Sequence, residues 1–337
     1  MTKYHVIYPG STIGEWSIGR AFQFAVLVIG LVASMQLASA QSRREFHRVF
    51  EVSLAEPVIL DLELARASLE IAYGREGQVS ITARTNNESS KAMNEDPFSN
   101  RLFVAVNGNH LEVHDGPDVL AGADSNVGYR IDVPYRTEVR SFVQRGSETI
   151  NGVAGPVEVR TQDGNIKVSY VSQKVSARTE SGNIDVQVIG GRVEARANRG
   201  DISCVRAPQG VDVETNDGDI SLAVVGPSRA AVPRGNGGIK AGGILGSFTG
   251  STAAGELYVR AVPHSDWQLS SASGGVRIEL PPEAKFEIDA STSSGEFMVK
   301  RNDLDAPEKQ SHHFTWKVNG GGTHIEIHTD SGMISIG

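Results

Sequence analysis

Cysteine, aromatic residues and clustered positive charge are scarce in this sequence of 337 residues. The one cysteine, Cys204, excludes an intramolecular disulfide and a cysteine-based zinc site. Lys and Arg together number 32 against 40 Asp and Glu, which gives a net charge of −8. Because nucleic-acid binding needs a basic face and the sequence has no run rich in lysine and arginine, we predict no nucleic-acid partner.

Long apolar stretches are also missing, with one exception near the start of the chain. Residues 21–37 are uncharged and mostly apolar, Arg20 precedes them, and Ala-Ser-Ala at 38–40 is a pattern that a signal peptidase reads. The run of 17 residues is shorter than the roughly 20 that a membrane-spanning helix needs. We therefore predict that residues 1–40 are a signal peptide, that the mature chain is exported to the periplasm or the cell surface, and that it has no transmembrane segment. The alternative is a retained N-terminal anchor.

Sequence motifs of known enzyme chemistry are absent as well. The chain contains no G-x-S-x-G, no Walker A loop, no H-E-x-x-H and no G-x-G-x-x-G. The sequence therefore predicts no catalytic residue, no metal ion and no cofactor.

Glycine, in contrast, is plentiful, and ten of the 37 glycines recur at nearly constant spacing. They are Gly146, Gly164, Gly182, Gly200, Gly218, Gly237, Gly255, Gly274, Gly295 and Gly332. The first four intervals are 18 residues each, and the surrounding motifs repeat, as in DGNIKV, SGNIDV and DGDISL. Self-similarity at a fixed period near 20 residues is the signature of a solenoid.

Apolar and polar residues alternate around each glycine, which predicts two short strands per repeat. Around Gly182, the apolar positions are Ile184 and Val186 after the glycine and Val175 and Ala177 before it. Stacking the repeats buries these positions in shared columns. The sequence therefore predicts an all-β fold, a single-stranded β-solenoid of stacked ~18-residue coils over 146–337, with about 4.8 Å between coils.

Residues 41–145 are rich in strand patterns but lack the regular period. VILDLEL (58–64) and YRIDVP (129–134) are predicted strands, and the polar stretches 85–100 and 115–126 are predicted loops. A solenoid needs its ends covered. We therefore predict that 41–145 is an irregular N-terminal β segment that caps the solenoid.

The IDVP strand at 131–134, the serial SGNIDV and DGDISL units and the closing GGGTHIEIHTDSGMISI at 320–336 resemble one bacterial family. Its members are exported β-strand-repeat proteins of unknown function that are labelled candidate adhesins. The resemblance covers nearly all of residues 44–337. It implies a β-solenoid fold and an envelope or surface location, and it supplies no catalytic residues.

Three arginines are the candidates for a binding site. Arg160, Arg178 and Arg196 are 18 residues apart on the outward phase of one predicted strand, so they stack about 4.8 Å apart. Like charges this close repel unless they are paired, and the neighbouring outward column supplies acids such as Glu158 and Asp212. One hypothesis is a solvated ladder of ion pairs, and the other is an anion-binding stripe for acidic polysaccharide or phosphate head groups.

The acids at the glycine corners are the candidates for catalysis. They are Asp163, Asp201, Asp217 and Asp219. A lyase or hydrolase needs acids that converge, but a glycine-rich corner selects Asp in any case, because its short side chain bonds the local backbone. The Arg-Gly-Asp tripeptide at 199–201 occupies the same corner and has the same structural interpretation.

The chain ends on Ile-Ser-Ile-Gly at 334–337 with no polar cap after it. Because an uncovered terminal coil offers unpaired backbone groups, we expect self-association through this coil or pairing with an envelope protein, and polysaccharide is the other predicted partner. The sequence predicts a non-enzymatic cell-envelope or surface protein, an adhesin-like binding or structural module. The alternative is a β-helix carbohydrate-active enzyme, a lyase or hydrolase that acts on an acidic polysaccharide.

Overall fold

A computed structural model describes residues 44–85, 101–116, 127–301 and 312–337. The predicted signal peptide, residues 1–40, lies outside the described residues, and the two predicted loops lie largely outside them. Every regular element in the described ranges is a β-strand. None of these ranges contains a helix with the length and apolar character needed to cross a membrane.

The strands are numbered in chain order. The first nine are β1 (Arg44–Glu51), β2 (Val58–Arg66), β3 (Ser68–Tyr73), β4 (Gln78–Thr85), β5 (Leu102–Asn107), β6 (His110–Asp115), β7 (Val127–Val133), β8 (Thr137–Arg145) and β9 (Glu148–Asn151). The regular repeats hold β10 (Val157–Asp163), β11 (Ile166–Val171), β12 (Val175–Ser181), β13 (Ile184–Ile189), β14 (Val193–Arg199), β15 (Ile202–Ala207), β16 (Val211–Asp217), β17 (Ile220–Val225), β18 (Ser228–Val232), β19 (Ile239–Ile244), β20 (Phe248–Thr252), β21 (Leu257–Arg260), β22 (Trp267–Ser271) and β23 (Val276–Glu279). The last five are β24 (Phe286–Thr292), β25 (Phe297–Val299), β26 (His313–Val318), β27 (Thr323–Thr329) and β28 (Ile334–Ile336).

The strands form two sheets of fourteen strands each. In the regular repeats the odd-numbered strands lie in one sheet, which we call sheet A, and the even-numbered strands lie in the other, sheet B. Neighbours pair in parallel with a shift of one repeat, so Val157 lies opposite Val175 and Val175 lies opposite Val193. One strand of sheet B and the following strand of sheet A make one turn of the solenoid, here called a rung. The predicted all-β solenoid is confirmed.

Columns of apolar side chains fill the interior between the two sheets. Ile184, Val186, Val175 and Ala177 are all buried, as their alternation predicts. A further column, seven residues after the glycine, was not predicted. Its members are Val153, Val171, Ile189, Ala207, Val225 and Ile244. Strict alternation would point this position outward, but a left-handed residue directly before it turns the strand and directs the side chain inward.

The glycine corner brings consecutive rungs into close backbone contact. At Gly182, which has φ of +144°, a Cβ atom would overlap the carbonyl group of Gly164 on the previous rung. The same overlap recurs along the column. Glycine is therefore required at this corner by the approach of one backbone to the next.

The N-terminal end departs from sequential stacking. The rung of β2 and β3 lies between the rung of β6 and β7 and the rung of β8 and β9. Antiparallel strands finish this end, because β5 pairs with β6, and β4 pairs with β7. Rungs therefore lie on both sides of residue 145, and the domain boundary expected there stays a prediction.

At the C-terminal end, the last strand of the chain is an interior strand. β27 pairs with both β22 and β24, and β28 pairs with both β23 and β25. Gly332 accordingly stacks between Gly274 and Gly295. The prediction that residues 334–337 form an uncapped terminal coil is wrong, because the chain first forms β24, β25 and β26 and then returns to fill the vacant rung. Self-association through that coil therefore loses its structural basis.

Candidate functional site

The three predicted arginines lie in register on the outward face of sheet B. Arg160 on β10 lies opposite Arg178 on β12, which lies opposite Arg196 on β14. Paired strands are about 4.8 Å apart, so the three side chains leave the sheet at that interval. We call these three residues the arginine stripe. Phe142 precedes it and Glu214 follows it in the same column.

The two outer arginines of the stripe have acidic partners. Arg160 donates a hydrogen bond to Glu158 on its own strand. Arg196 pairs with Asp212 on the next rung, with 3.0 Å between Nη2 and Oδ1, and its Nη1 donates to the Asp212 backbone carbonyl at 2.6 Å. Burial raises the pKa of Asp212, but hydrogen bonds from Arg196 and Arg229 outweigh this effect and hold its pKa below the ordinary value.

Arg178, in the middle of the stripe, has a different environment. Its side chain is exposed, and it makes no ion pair with any residue that the structure describes. On its own strand, Ser176 takes the position that Glu158 has on β10. Glu180 shares the strand and the exposed face two residues after Arg178, but no ion pair joins the two side chains. The centre of the stripe therefore carries a positive charge that no ion pair with a described residue neutralises.

A shallow depression adjoins the start of the stripe. It has a volume of about 480 Å³, and Arg160, Arg140 and Phe142 line it together with Asp61 and Glu63. Positive and negative groups thus face the same space beside an aromatic ring. This arrangement offers room for one polar group of a longer ligand next to Arg160.

Two of the candidate acids, Asp201 and Asp219, help to hold the corner of the solenoid together. The backbone N–H of Asp219 donates to Asp201 Oδ1 at 2.8 Å, and the N–H of Gly238 donates to Asp219 Oδ1 at 2.7 Å. Asp201 in turn donates its N–H to Asn183 Oδ1 at 2.9 Å. The Arg-Gly-Asp tripeptide is thus one step of a ladder that joins consecutive rungs.

The other two candidate acids do not converge with each other, although Asp217 lines one open depression with Asp201 and Asp219. Asp163 and Asp217 share one column but stand three rungs apart, because Ser181 and Arg199 lie between them. Three rungs correspond to about 14 Å, which exceeds the roughly 9.5 Å limit for a glycosidase carboxylate pair. Among the residues that the structure describes, no cluster of His, Cys, Asp or Glu could hold a metal ion.

One buried acid was missed by the sequence reasoning. Glu148 is 1% exposed and takes the position, two residues after Gly146, where the next five repeats carry isoleucine. Ser141 donates a hydrogen bond to its Oε2, while Oε1 has no partner in the described structure. Burial raises the pKa of Glu148 to about 8, although the hydrogen bond from Ser141 lowers it. Comparing this position along the glycine column would have revealed the substitution.

The sequence matches a known protein family. The model described as Toastrack DUF4097 matches residues 146–237 and 172–337. These two matches together span more than half of the chain. No curated protein matches the sequence.

Several solved structures are similar to this chain. A candidate adhesin from Bacteroides fragilis has 13% identity and a TM-score of 0.34, with 88% of this chain and 98% of that chain covered. A candidate adhesin from Parabacteroides distasonis has 8% identity and a TM-score of 0.36, with coverage of 88% and 98%. A candidate lipid-binding protein from the same species has 13% identity and a TM-score of 0.33, with coverage of 87% and 97%.

Proposed function

The chain belongs to the Toastrack DUF4097 family, and we propose that it is a non-enzymatic binding module of the cell envelope or cell surface that holds an acidic polysaccharide on its arginine stripe. The observation that carries this proposal is the charge of Arg178. This arginine is exposed, lies in register between two other arginines and has no ion-pair partner in the described structure.

The spacing of the stripe supports a polymeric anion as the ligand. Three guanidinium groups about 4.8 Å apart repel one another, and this cost is relieved when anions bind between them. The planar guanidinium binds carboxylate or phosphate through two parallel hydrogen bonds. A chain of uronate sugars can present such groups to several rungs at once.

The role of the corner acids supports binding rather than catalysis. Asp201 and Asp219 each accept, through Oδ1, a hydrogen bond from the backbone of the next rung, so one oxygen of each carboxylate helps to hold the fold. A general acid or base needs a carboxyl group free to exchange a proton with the substrate. Export is supported by the sequence of residues 1–40 and forms part of the proposal.

Binding of alginate, a polyuronate, tests the proposal. We expect the wild-type chain to bind alginate with an affinity that falls as salt is added, and to ignore uncharged dextran. The triple variant R160A/R178A/R196A should weaken binding by about tenfold or more, since each charge-assisted hydrogen bond is worth about 1.5–3 kcal/mol before screening. The matched control is K174A/R192A/R206A, which removes the same charge from a different side of the solenoid.

Three outcomes would contradict the proposal or redirect it. Equal loss in both triple variants would show a general charge effect, and unchanged binding by R160A/R178A/R196A would exclude the stripe. If inorganic phosphate or polyphosphate displaces alginate and binds more tightly, the ligand of the stripe is a phosphate group. Release of shorter alginate products during incubation would favour the enzymatic alternative.

A further inference from the structure

One edge of the solenoid is built on a left-handed backbone conformation. Where each strand of sheet A turns back toward sheet B, one residue per rung has positive φ on six consecutive rungs. These residues are Gly152, Tyr170, Val188, Arg206, Val224 and Gly243, with φ between 55° and 78°. We define the left-handed edge as the segments 151–156, 169–174, 187–192, 205–210, 223–228 and 242–247.

Four of these six positions carry a side chain that the backbone conformation disfavours. The left-handed region suits glycine, which is present at Gly152 and Gly243, whereas valine with its branched Cβ is an outlier there. Tyr170 is 62% exposed and Val224 is 48% exposed, so burial does not compensate them. The left-handed turn itself serves the fold, because it directs the following side chain inward, but it does not require the exposed side chains that Tyr170 and Val224 carry. Side chains kept at a conformational cost at such positions point to function.

The left-handed edge is positively charged, unlike the chain as a whole. Its six segments contain Lys174, Arg192 and Arg206 and no Asp or Glu, in a protein of net charge −8. All three side chains are exposed, and none of them forms an ion pair with a described residue. Lys174 and Arg192 occupy equivalent positions on adjacent rungs, because Val175 and Val193, the residues that follow them, are paired.

Exposed apolar side chains flank these cations. Leu245 is 53% exposed, and Val224 lies on the rung before it. On the other side, the Tyr135 hydroxyl is 3.0 Å from Ser172 Oγ, and the Tyr135 ring packs edge-on against Tyr73 with 5.9 Å between centroids. Aromatic, aliphatic and cationic groups therefore share one edge that extends over several rungs of about 4.8 Å each.

From these observations we propose that the left-handed edge docks on the surface of an anionic lipid bilayer. Tyrosine rings suit the headgroup level, where the ring meets apolar groups and the hydroxyl meets water. Lysine and arginine near the surface are attracted by anionic headgroups. The docking surface lies on a different side from the arginine stripe, so this inference goes beyond the proposed function.

A bilayer fits this edge better than a second polysaccharide. Val224 and Leu245 are aliphatic, and their exposed area gains from entering the boundary between headgroups and acyl chains. Equivalent side chains at the turn of successive rungs project from a corner of the chain path, so they can touch one flat surface together. A sugar polymer would gain little from the two aliphatic groups.

Vesicle binding tests the charges of the edge. The purified protein is mixed with vesicles of phosphatidylglycerol and phosphatidylcholine or of phosphatidylcholine alone, and bound protein is measured by flotation. We expect binding to the anionic vesicles only, and a loss of about tenfold or more in K174A/R192A/R206A. The matched control R160A/R178A/R196A should bind vesicles like wild type. All variants are purified in the same way and their N-termini are determined by mass spectrometry, so that a retained apolar leader is common to all of them.

A tryptophan reporter tests which side of the molecule meets the lipid. Y170W places an indole on the left-handed edge, and T249W places one on the exposed face of sheet B as the control. We expect the fluorescence of Y170W to shift to shorter wavelength with anionic vesicles and to be quenched by brominated lipid. The fluorescence of T249W should not change.

The outcomes separate this inference from the proposed function. Docking through the edge would be overturned if lipid shifted the fluorescence of T249W but not that of Y170W. It would also be overturned if both triple variants bound vesicles as well as wild type does. If wild type does not bind vesicles and K174A/R192A/R206A loses alginate binding, the edge is a polysaccharide site instead. Failure of alginate binding by the arginine stripe leaves the vesicle result unaffected, because the two tests use different ligands and different residues.

Discussion

From β10 to β23 each rung stacks on the rung that precedes it in the chain, whereas at both ends the order of the rungs departs from the order of the chain. At the N-terminal end β6–β7 and β8–β9 stack on opposite sides of the earlier rung β2–β3, and at the C-terminal end β27–β28 fill a rung that the chain had skipped. In the regular middle, every contact between rungs joins residues about one repeat apart, as in the pairing of Val157 with Val175. At the C-terminal end, Trp267 pairs with Ile325, which is more than three repeats away in sequence. The same two sheets are thus assembled by local contacts in the middle and by long-range contacts at the ends.

This difference shows how an open stack of parallel strands protects its edges. In a solenoid, each repeat touches only its neighbours, so a terminal repeat would be held on one side only and would expose its backbone groups. Here the rung β2–β3 and the inserted rung β27–β28 are each held on both sides. Strands of opposite direction, β5 and β26, then lie outermost in sheet B.

Removal of the inserted C-terminal rung should have the largest effect. A chain that ends at Gly320 lacks β27 and β28, so β22 and β24 each lose one of their two partners, and the buried Ile325 and Ile327 are lost. Each buried isoleucine is worth about 2–5 kcal/mol, so we expect the amides of β24 and β26 to exchange rapidly with deuterium. Deletion of β1, which pairs on one side only, is the control and should leave this exchange unchanged. If the β24 amides of the truncated chain still exchange slowly, the C-terminal end is stable without its inserted rung.

A glycine substitution should cost more stability in the regular middle than at the ends. Gly200→Ala places a Cβ atom on the carbonyl group of Gly182, and we expect a loss of about 4 kcal/mol or more in the free energy of unfolding. Gly108→Ala, at the turn between β5 and β6, meets nothing within 4 Å and has φ of +60°, so the cost should be about 1–2 kcal/mol. Denaturant unfolding of both variants measures the difference. Similar losses would mean that rung contact does not demand glycine.

Glu148 lies where the N-terminal rungs meet the regular repeats, and its titration should make stability depend on pH. Burial raises its pKa from 4.5 to about 8, so the folded state holds the proton more tightly than the unfolded state. Stability conferred by this proton is complete below pH 4.5 and is lost as the pH rises to about 8. As the pH rises through this window, we expect the free energy of unfolding of E148Q, measured in urea, to increase relative to that of wild type by up to about 1.4 kcal/mol per pH unit.

The exposed Glu180 supplies the control for that measurement. E180Q makes the same change of charge on the surface of sheet B, and its stability relative to wild type should vary little over the same window. A parallel pH dependence in both variants would assign the effect to net charge rather than to the buried carboxyl group.

The smallest effect is expected at Val224 in the middle of the left-handed edge. V224N replaces a branched side chain with one that tolerates positive φ, and we expect a gain of up to about 1 kcal/mol in the free energy of unfolding. V205N, a nearby half-buried position without positive φ, should show no gain. A loss of stability in V224N alone would mean that the valine contributes to the fold.

The regular middle could be predicted from the sequence because each rung repeats the same local rules. The glycine period and the alternation around it predicted the two strands, their parallel stacking and the register of Arg160, Arg178 and Arg196. The ends could not be predicted, because the glycine interval from Gly295 to Gly332 shows only that two periods pass and not which rung is placed between which. The ion pair of Arg196 with Asp212 and the unpaired state of Arg178 depend on side-chain rotamers, which the spacing does not specify.

The inserted C-terminal rung limits where repeats can be added to such a protein and where a fused domain would leave the solenoid. Because Gly337 lies inside the stack rather than at its tip, a domain fused there would leave from the flank of the solenoid. A further repeat cannot be placed beside β28 without displacing β23 or β25. Lengthening is instead accommodated by duplicating an 18-residue unit between Gly164 and Gly218, where a new repeat meets copies of its own neighbours and both locked ends remain as they are.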